Sequence, residues 1–124
     1  MTYIEEIATY LFSEYEEAYD KIPKTFNFIT NPYAVEFKIA ENVTDRYYKD
    51  DVTLQVRVVG VENKIVDGKS NRWNILNKAN TLLEELNKLE FDNYRIIKED
   101  VPLTTYTDED KFNVVLMLIV QKYN

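Results

Sequence analysis

Residues 112–123 form the segment that most restricts the fold of this chain. Their side chains alternate between two sides with a period of two, which predicts a β-strand. One side carries Phe112, Val114, Leu116, Leu118 and Val120, and the other carries Val115, Met117 and Ile119. A strand that is apolar on both sides is typical of one covered on both faces. We therefore expect both faces of this strand to be packed against other parts of the protein or against a partner.

Three other segments are predicted to be strands. Residues 33–39 and residues 52–59 alternate in the same way, and the polar connection between them is too long for a tight hairpin turn. Residues 91–98 suggest a third strand, which Pro102 is expected to end. We expect these strands to pair with residues 112–123 in an antiparallel sheet.

Two amphipathic helices are predicted from apolar residues recurring at three- and four-residue steps. The first covers residues 3–19 and is expected to stop before Pro23. The second runs from a cap at Ser70 or Asn71 to about residue 89. Its apolar positions are Trp73, Leu76, Ala79, Leu82, Leu83, Leu86 and Leu89.

The predicted element order is α-β-β-α-β-β in one domain covering residues 1–124. Each helix has one apolar side, so we expect a two-layer α+β sandwich with both helices on one face of an antiparallel sheet. The second apolar side of residues 112–123 is then either buried within the chain or meets another chain. An exposed apolar patch usually marks an interface, so we favour an interface through Val115, Met117 and Ile119.

The chain has no cysteine and no histidine, so its composition excludes most common kinds of catalytic site. Gly68-Lys69-Ser70 ends like a phosphate-binding loop, but Asn63 stands where that motif needs glycine. Glu36-Phe37-Lys38 matches half of a Mg²⁺-dependent nuclease site, or it is an ordinary solvent-facing pair. A nuclease needs a further aspartate, and Asp20 lies at a predicted helix end. We expect no enzyme activity and no catalytic, cofactor or metal site.

The net charge of −7 is concentrated near the N-terminus. The first twenty residues contain no lysine or arginine, and their acidic residues are Glu5, Glu6, Glu14, Glu16, Glu17 and Asp20. Nucleic-acid binding is not expected, since it requires a basic surface. The acidic segment is a solvated helix face, a site for a basic partner, or a surface that repels DNA.

Tyr47 and Tyr48 are adjacent aromatic residues in the polar connection between the first two strands. They are candidates for a contact surface, because tyrosine offers a large contact area at small entropic cost, or they pack locally on the sheet. No apolar run is long enough to cross a bilayer, and residues 1–6 lack the basic start of a signal peptide. We expect a cytosolic product with no membrane association.

The order and size of these elements resemble the tail terminator (tail completion, or minor capsid) proteins of long-tailed bacteriophages. The resemblance covers nearly the whole chain. It rests on the acidic first helix, on Val52-Thr53-Leu54-Gln55-Val56-Arg57-Val58-Val59, on the helix around Trp73-Asn74-Ile75-Leu76-Asn77-Lys78-Ala79, and on the hydrophobic last strand.

The resemblance implies a virion protein of the tail or neck, assembled in the host cytoplasm. It would form a homo-oligomeric ring, typically a hexamer, that caps the tail tube and joins it to the head. Its partners would be the tail-tube protein and a head-completion or connector protein, and DNA would pass through without being bound. A head-closure or connector role fits the same shape. A small acidic inhibitory binding protein of phage or mobile-element origin is the alternative from another class.

Overall fold

The computed structural model describes residues 3–41, 52–66, 68–91 and 94–122. The helices are α1 (Tyr3–Glu14) and α2 (Asn71–Asn87). The strands are β1 (Ala18–Tyr19), β2 (Ala34–Glu41), β3 (Val52–Val61), β4 (Ile65–Val66), β5 (Lys69–Ser70), β6 (Glu90–Phe91), β7 (Tyr94–Asp108) and β8 (Lys111–Lys122).

Six strands form one sheet in the order β1-β2-β3-β8-β7-β6, and β4 and β5 form a separate small hairpin. β1 runs parallel to β2, and all other neighbours in the large sheet are antiparallel. Strands make up 46% of the structure, and the large sheet curls into a half-barrel. The predicted two-layer sandwich of order α-β-β-α-β-β is therefore wrong.

The predicted sandwich differs from the observed sheet partly because the sequence pattern did not predict β1 or the full length of β7. α1 ends at Glu14 rather than near residue 19, and Ala18 then pairs with Val35 at one edge of the sheet. At the other end, β7 continues through Pro102 instead of stopping there. A register irregularity between Lys98 and Leu103 interrupts its pairing with β8, and such irregularities are where a sheet accepts proline.

The core lies between the helices and one set of strand side chains. The buried side chains of α2 are Asn71, Ile75, Ala79, Leu82 and Leu86. The helix was predicted to be capped by Ser70 or Asn71. It begins at Asn71, and the cap is Ser70, whose hydroxyl accepts a hydrogen bond from the backbone N–H of Arg72. Trp73 was predicted to face the core, but it is 57% exposed.

α1 is held against both halves of the sheet by aromatic contacts. Ile7 and Leu11 are fully buried in the common core. Tyr10 stacks on Phe91 of β6 with ring centroids 3.9 Å apart, while Phe12 packs on Phe37 of β2. These contacts fix which surface of α1 faces solvent.

The start of α2 is tied to the strands by Asn71, which is completely buried. Its side-chain amide donates to the carbonyl oxygens of Pro32 and Val61 at 2.6 and 3.0 Å. Gly60 lies beside this junction, where a Cβ would come within 2.3 Å of the Pro32 carbonyl oxygen. Glycine is therefore required there by close approach. Within the described residues, neither helix has the length and apolar character needed to cross a membrane.

Candidate functional site

The strands β2, β3, β8 and β7 send alternate side chains away from the core, onto a surface that we call the outer face. The pairing register aligns Val115 with Arg57 and Met117 with Gln55 across β8 and β3. Ile119 is flanked by Thr53 on β3 and by Ile97 on β7. We call Val115, Met117 and Ile119 the apolar stripe; all three are half-buried.

The two sides of β8 differ in how deeply their side chains are buried. The core side of the same strand carries Val114, Leu116 and Leu118, each of which is 0% exposed. These residues belong to one cluster with the buried side chains of both helices. The structure thus brings the three predicted interface residues of β8 together on the outer face, where they keep contact with solvent. Tyr47 and Tyr48 lie outside the described residues.

A buried ion pair lies beside the stripe. Glu36 is only 4% exposed, although it points to the outer face. Arg57 donates to both of its carboxylate oxygens and also to Oδ1 of Asn113 at 3.2 Å. The backbone N–H of Ile22 donates to Oε2 of Glu36 at 3.2 Å. These hydrogen bonds replace the contacts with bulk water that the carboxylate loses on burial.

A groove of about 760 Å³ crosses the outer face next to this ion pair. Its lining includes Asp20, Glu36, Lys38, Arg57 and Tyr106. The structure therefore places Asp20 near Glu36 and Lys38, which its predicted position at a helix end did not suggest. Lys38 is exposed, as expected for a solvent-facing pair, but its partner Glu36 is not.

The groove lacks the features of a magnesium site. Both oxygens of Glu36 already accept hydrogen bonds, and Arg57 places a positive charge where a cation would bind. The part of the chain that the structure describes contains no group of three or more potential metal-ligating residues.

The acidic residues of the N-terminal segment are all exposed but do not share one surface. They are Glu5, Glu6, Glu14, Glu16, Glu17 and Asp20. Glu5 and Glu6 lie in the first turn of α1, where the helix dipole favours negative charge, and Glu6 accepts a hydrogen bond from the Tyr94 hydroxyl at 3.2 Å. Asp20 instead lines the outer-face groove.

Two contacts hold the end of α1 and the turn after it to α2. Glu17 pairs with Lys78 at 2.6 Å. Burial acts to lower the pKa of Lys78, but the hydrogen bond and the charge of Glu17 outweigh burial and raise it. Burial, together with the charge of Glu85 and a hydrogen bond to it, raises the pKa of Tyr15 to about 12. The acidic segment is thus fixed to the body of the protein.

A second surface, which the sequence analysis missed, surrounds Trp73. A groove of about 580 Å³ lies between the β4–β5 hairpin and the first turns of α2, lined by Val66, Lys69 and Trp73 among others. Ile65 on the same hairpin is 67% exposed. The helical period could have predicted that Trp73 is exposed. At roughly 100° per residue, Trp73 lies on the opposite side of α2 from the buried Ile75.

Comparison with protein-family models, with curated proteins and with solved structures finds no match to this chain. The functional interpretation therefore rests on the surfaces themselves. Among those described, the outer face combines a row of half-buried apolar side chains with a buried ion pair and a charged groove. This combination of apolar centre and charged margin is typical of protein–protein contact surfaces.

Proposed function

We propose that this chain is a structural phage protein of the tail or head–tail junction, acting as a tail terminator. In this role, copies form a ring that caps the tail tube and joins it to the head. The observation that carries the proposal is the apolar stripe, Val115, Met117 and Ile119, which stays half-buried on the outer face while the core side of β8 is fully buried.

The stripe supports assembly because it lies on an inner strand of the sheet. β8 is flanked by β3 and β7, so its side chains stand in the middle of a broad surface rather than at a margin. Ile97 of β7 extends the apolar area beside Ile119. Apolar side chains at the centre of such a surface gain most when a partner removes them from water.

The charge distribution supports a passage for DNA through the assembly. The first twenty residues carry acidic side chains and no basic ones, and all of the acidic ones are exposed. A negatively charged wall repels the phosphate backbone, so a duplex can pass without being held. The exposed acidic residues of α1 and of the turn after it would contribute to that wall or to its entrance, whereas Asp20 lies in the outer-face groove.

The test is assembly of tail tubes from the tail-tube protein encoded in the same genome. Electron microscopy should show shorter tubes, with a ring at one end, when this chain is present during polymerisation. Unchanged tube lengths with no added density at the tube ends would overturn the proposal. Binding to the head connector without binding to tube ends would assign the head-closure role instead.

A matched pair of variants connects this test to the stripe. Met117→Asp places a charge in the centre of the stripe and should abolish capping of the tubes. Asn80→Asp adds the same charge to an exposed position on α2 and should leave capping unchanged. Circular dichroism of both variants checks that each is folded.

A further inference from the structure

We infer that the groove beside Trp73 is a binding site for an extended acidic segment of a partner protein. The segment places an apolar side chain against Trp73 and a carboxylate beside Lys69. This site goes beyond the proposed assembly role, because it lies on a different surface and binds its ligand without assembly. Three features support it: the length of the groove, the groups that line it, and the charge of Lys69.

The groove is long enough for a short extended peptide. The depression of about 580 Å³ beside Trp73 adjoins a second one of about 390 Å³, and the two share lining residues. The residues of α2 that line them are Trp73, Asn74, Asn77, Lys78 and Thr81. At roughly 100° per residue these fall within about 140° of the helix circumference, so the groove follows one side of α2. From Trp73 to Thr81 the helix rises by about 12 Å, which is the length of about four residues of an extended chain.

One end of the groove offers an apolar surface. Trp73 is 57% exposed, and the half-buried Val66 of the β4–β5 hairpin lines the same end. Tryptophan contributes a large area when a partner covers it, and it is enriched among the residues that dominate binding energy. An apolar side chain of the ligand therefore fits at this end.

Further along the groove, two side-chain amides suit the main chain of a peptide. Asn74 and Asn77 lie about one helical turn apart, and each amide offers donors and an acceptor. Asn74 donates to Oδ1 of Asn71 at 3.5 Å, which leaves its own carbonyl oxygen as an acceptor. Asn77 is exposed, and its side chain makes no hydrogen bond with the described residues. The N–H and C=O groups of an extended peptide need partners of this kind.

The charge of the groove favours an acidic segment. Lys69 is exposed and makes no ion pair with the described residues. Lys69 and Val66 pair across the β4–β5 hairpin, so their side chains lie side by side. At the other end Lys78 is already paired with Glu17 at 2.6 Å. The described lining residues include no acidic side chain, so a carboxylate next to the apolar residue of the ligand meets positive charge at Lys69.

Other classes of ligand fit these groups less well. A nucleic acid would bring a row of phosphates to one lysine on a chain of net charge −7. A neutral sugar could stack on Trp73 but would gain nothing from the charge of Lys69. A peptide with a few carboxylates uses the apolar end, the amides and the lysine together.

The test uses the fluorescence of Trp73, which is the single tryptophan of the chain and therefore reports on the groove. The probes are synthetic octapeptides that contain two leucines and carry aspartate, lysine or serine at the same three positions. We expect the aspartate peptide to shift the emission to shorter wavelength and to reduce quenching by acrylamide. It should bind at least about tenfold more tightly than the lysine peptide. Higher ionic strength should narrow this difference.

A matched pair of variants tests the role of Lys69. Lys69→Glu should reverse the preference between the aspartate and lysine peptides. Lys88→Glu makes the same change of charge at an exposed position at the end of α2, outside the groove, and should keep the preference of the wild type. Circular dichroism checks that both variants are folded.

Several results would overturn this site. They are an unchanged emission of Trp73 with the aspartate peptide up to about 1 mM, equal binding of the three peptides, and an unchanged preference in Lys69→Glu. Tighter binding of oligothymidylate or maltohexaose would assign the groove to a nucleic acid or a sugar instead. A shift that grows with protein concentration in the absence of peptide would make a second copy of this chain the occupant.

The outcome remains separable from the proposed function. Met117→Asp should keep the response to the aspartate peptide, because α2 packs on the core side of the sheet and the apolar stripe lies on the outer face. Peptide binding together with unchanged tube lengths would establish this site and overturn the tail terminator role. Capped tubes without any response of Trp73 to the peptide would do the opposite.

Discussion

Arg57 donates hydrogen bonds to both carboxylate oxygens of Glu36, from Nε to Oε1 at 3.3 Å and from Nη2 to Oε2 at 3.4 Å. This pair joins β2 to β3 at paired positions of the sheet. It also holds the chain after β1, since Oε2 accepts the backbone N–H of Ile22. The pair is therefore a structural link between three segments.

Removing the carboxylate should leave Arg57 and the Ile22 N–H without their partner. We expect Glu36→Ala to lower the free energy of unfolding by about 2 kcal/mol, because the pair is buried on one side and partly solvated on the other. Lys38→Ala should change it by less than about 0.5 kcal/mol, since Lys38 is exposed and 3.8 Å from Glu36. Urea denaturation measures the free energy of unfolding of both variants. Equal losses of stability in the two would contradict the structural role of the Glu36–Arg57 pair.

Gly60→Ala should destabilise the protein by about 3 kcal/mol. The added Cβ would overlap the Pro32 carbonyl oxygen at 2.3 Å and crowd the Asn71 side-chain amide at 3.1 Å, so backbone must move. Gly68→Ala is the comparison, because no heavy atom lies within 4 Å of the Cβ that this change adds. Its expected loss of stability, about 1 kcal/mol, comes from the positive φ of 77° at this position. Denaturant titrations that rank Gly68→Ala as the more damaging change would disagree with this packing.

Trp73 should behave as a solvated residue. It is the single tryptophan of the chain and is 57% exposed, so its fluorescence should be close to that of tryptophan in water and readily quenched by acrylamide. Trp73→Ala should cost under about 1 kcal/mol, whereas Leu82→Ala, at 1% exposure, should cost about 3 kcal/mol. A strongly blue-shifted emission from the monomeric protein would contradict the exposed position.

Stability should fall in alkaline solution because of Tyr15. Its pKa in the folded protein is about 12, against 10.0 as the ordinary value, so the unfolded chain loses this proton first. The contribution of Tyr15 is complete below its ordinary pKa and is lost as the pH rises toward 12. Lys78, whose pKa is also raised, acts in the same direction.

Ultraviolet titration of tyrosinate, with Tyr15→Phe as the comparison, measures the effect of this residue. Tyr15 of the wild type should ionise near pH 12, and the variant should lack this ionisation. The variant should also lose less stability between the ordinary pKa of tyrosine and pH 12. Identical titration curves for the two proteins would show that Tyr15 ionises normally.

The sequence by itself determined the elements whose pattern is local. Alternation located the strands that became β2, β3 and β8, and helical spacing with a serine cap located α2. Alternation also identified the residues of the apolar stripe, because side chains two positions apart share a face in any extended strand. These features depend on neighbours in the chain, so no knowledge of the fold was needed.

Only the tertiary structure decided the features that depend on distant pairing. β1 and β6 are too short to show a period, and they exist because β2 and β7 offer them hydrogen bonds. The curl of the sheet, which replaced the predicted sandwich, arises from how six strands pair rather than from any one of them. Likewise Glu36 is buried because Arg57 and the segment at Ile22 meet it from elsewhere in the chain. The sequence pattern therefore predicted the second apolar side of β8. Which charged residues lie beside that side depends on how the strands pair, so only the tertiary structure shows them.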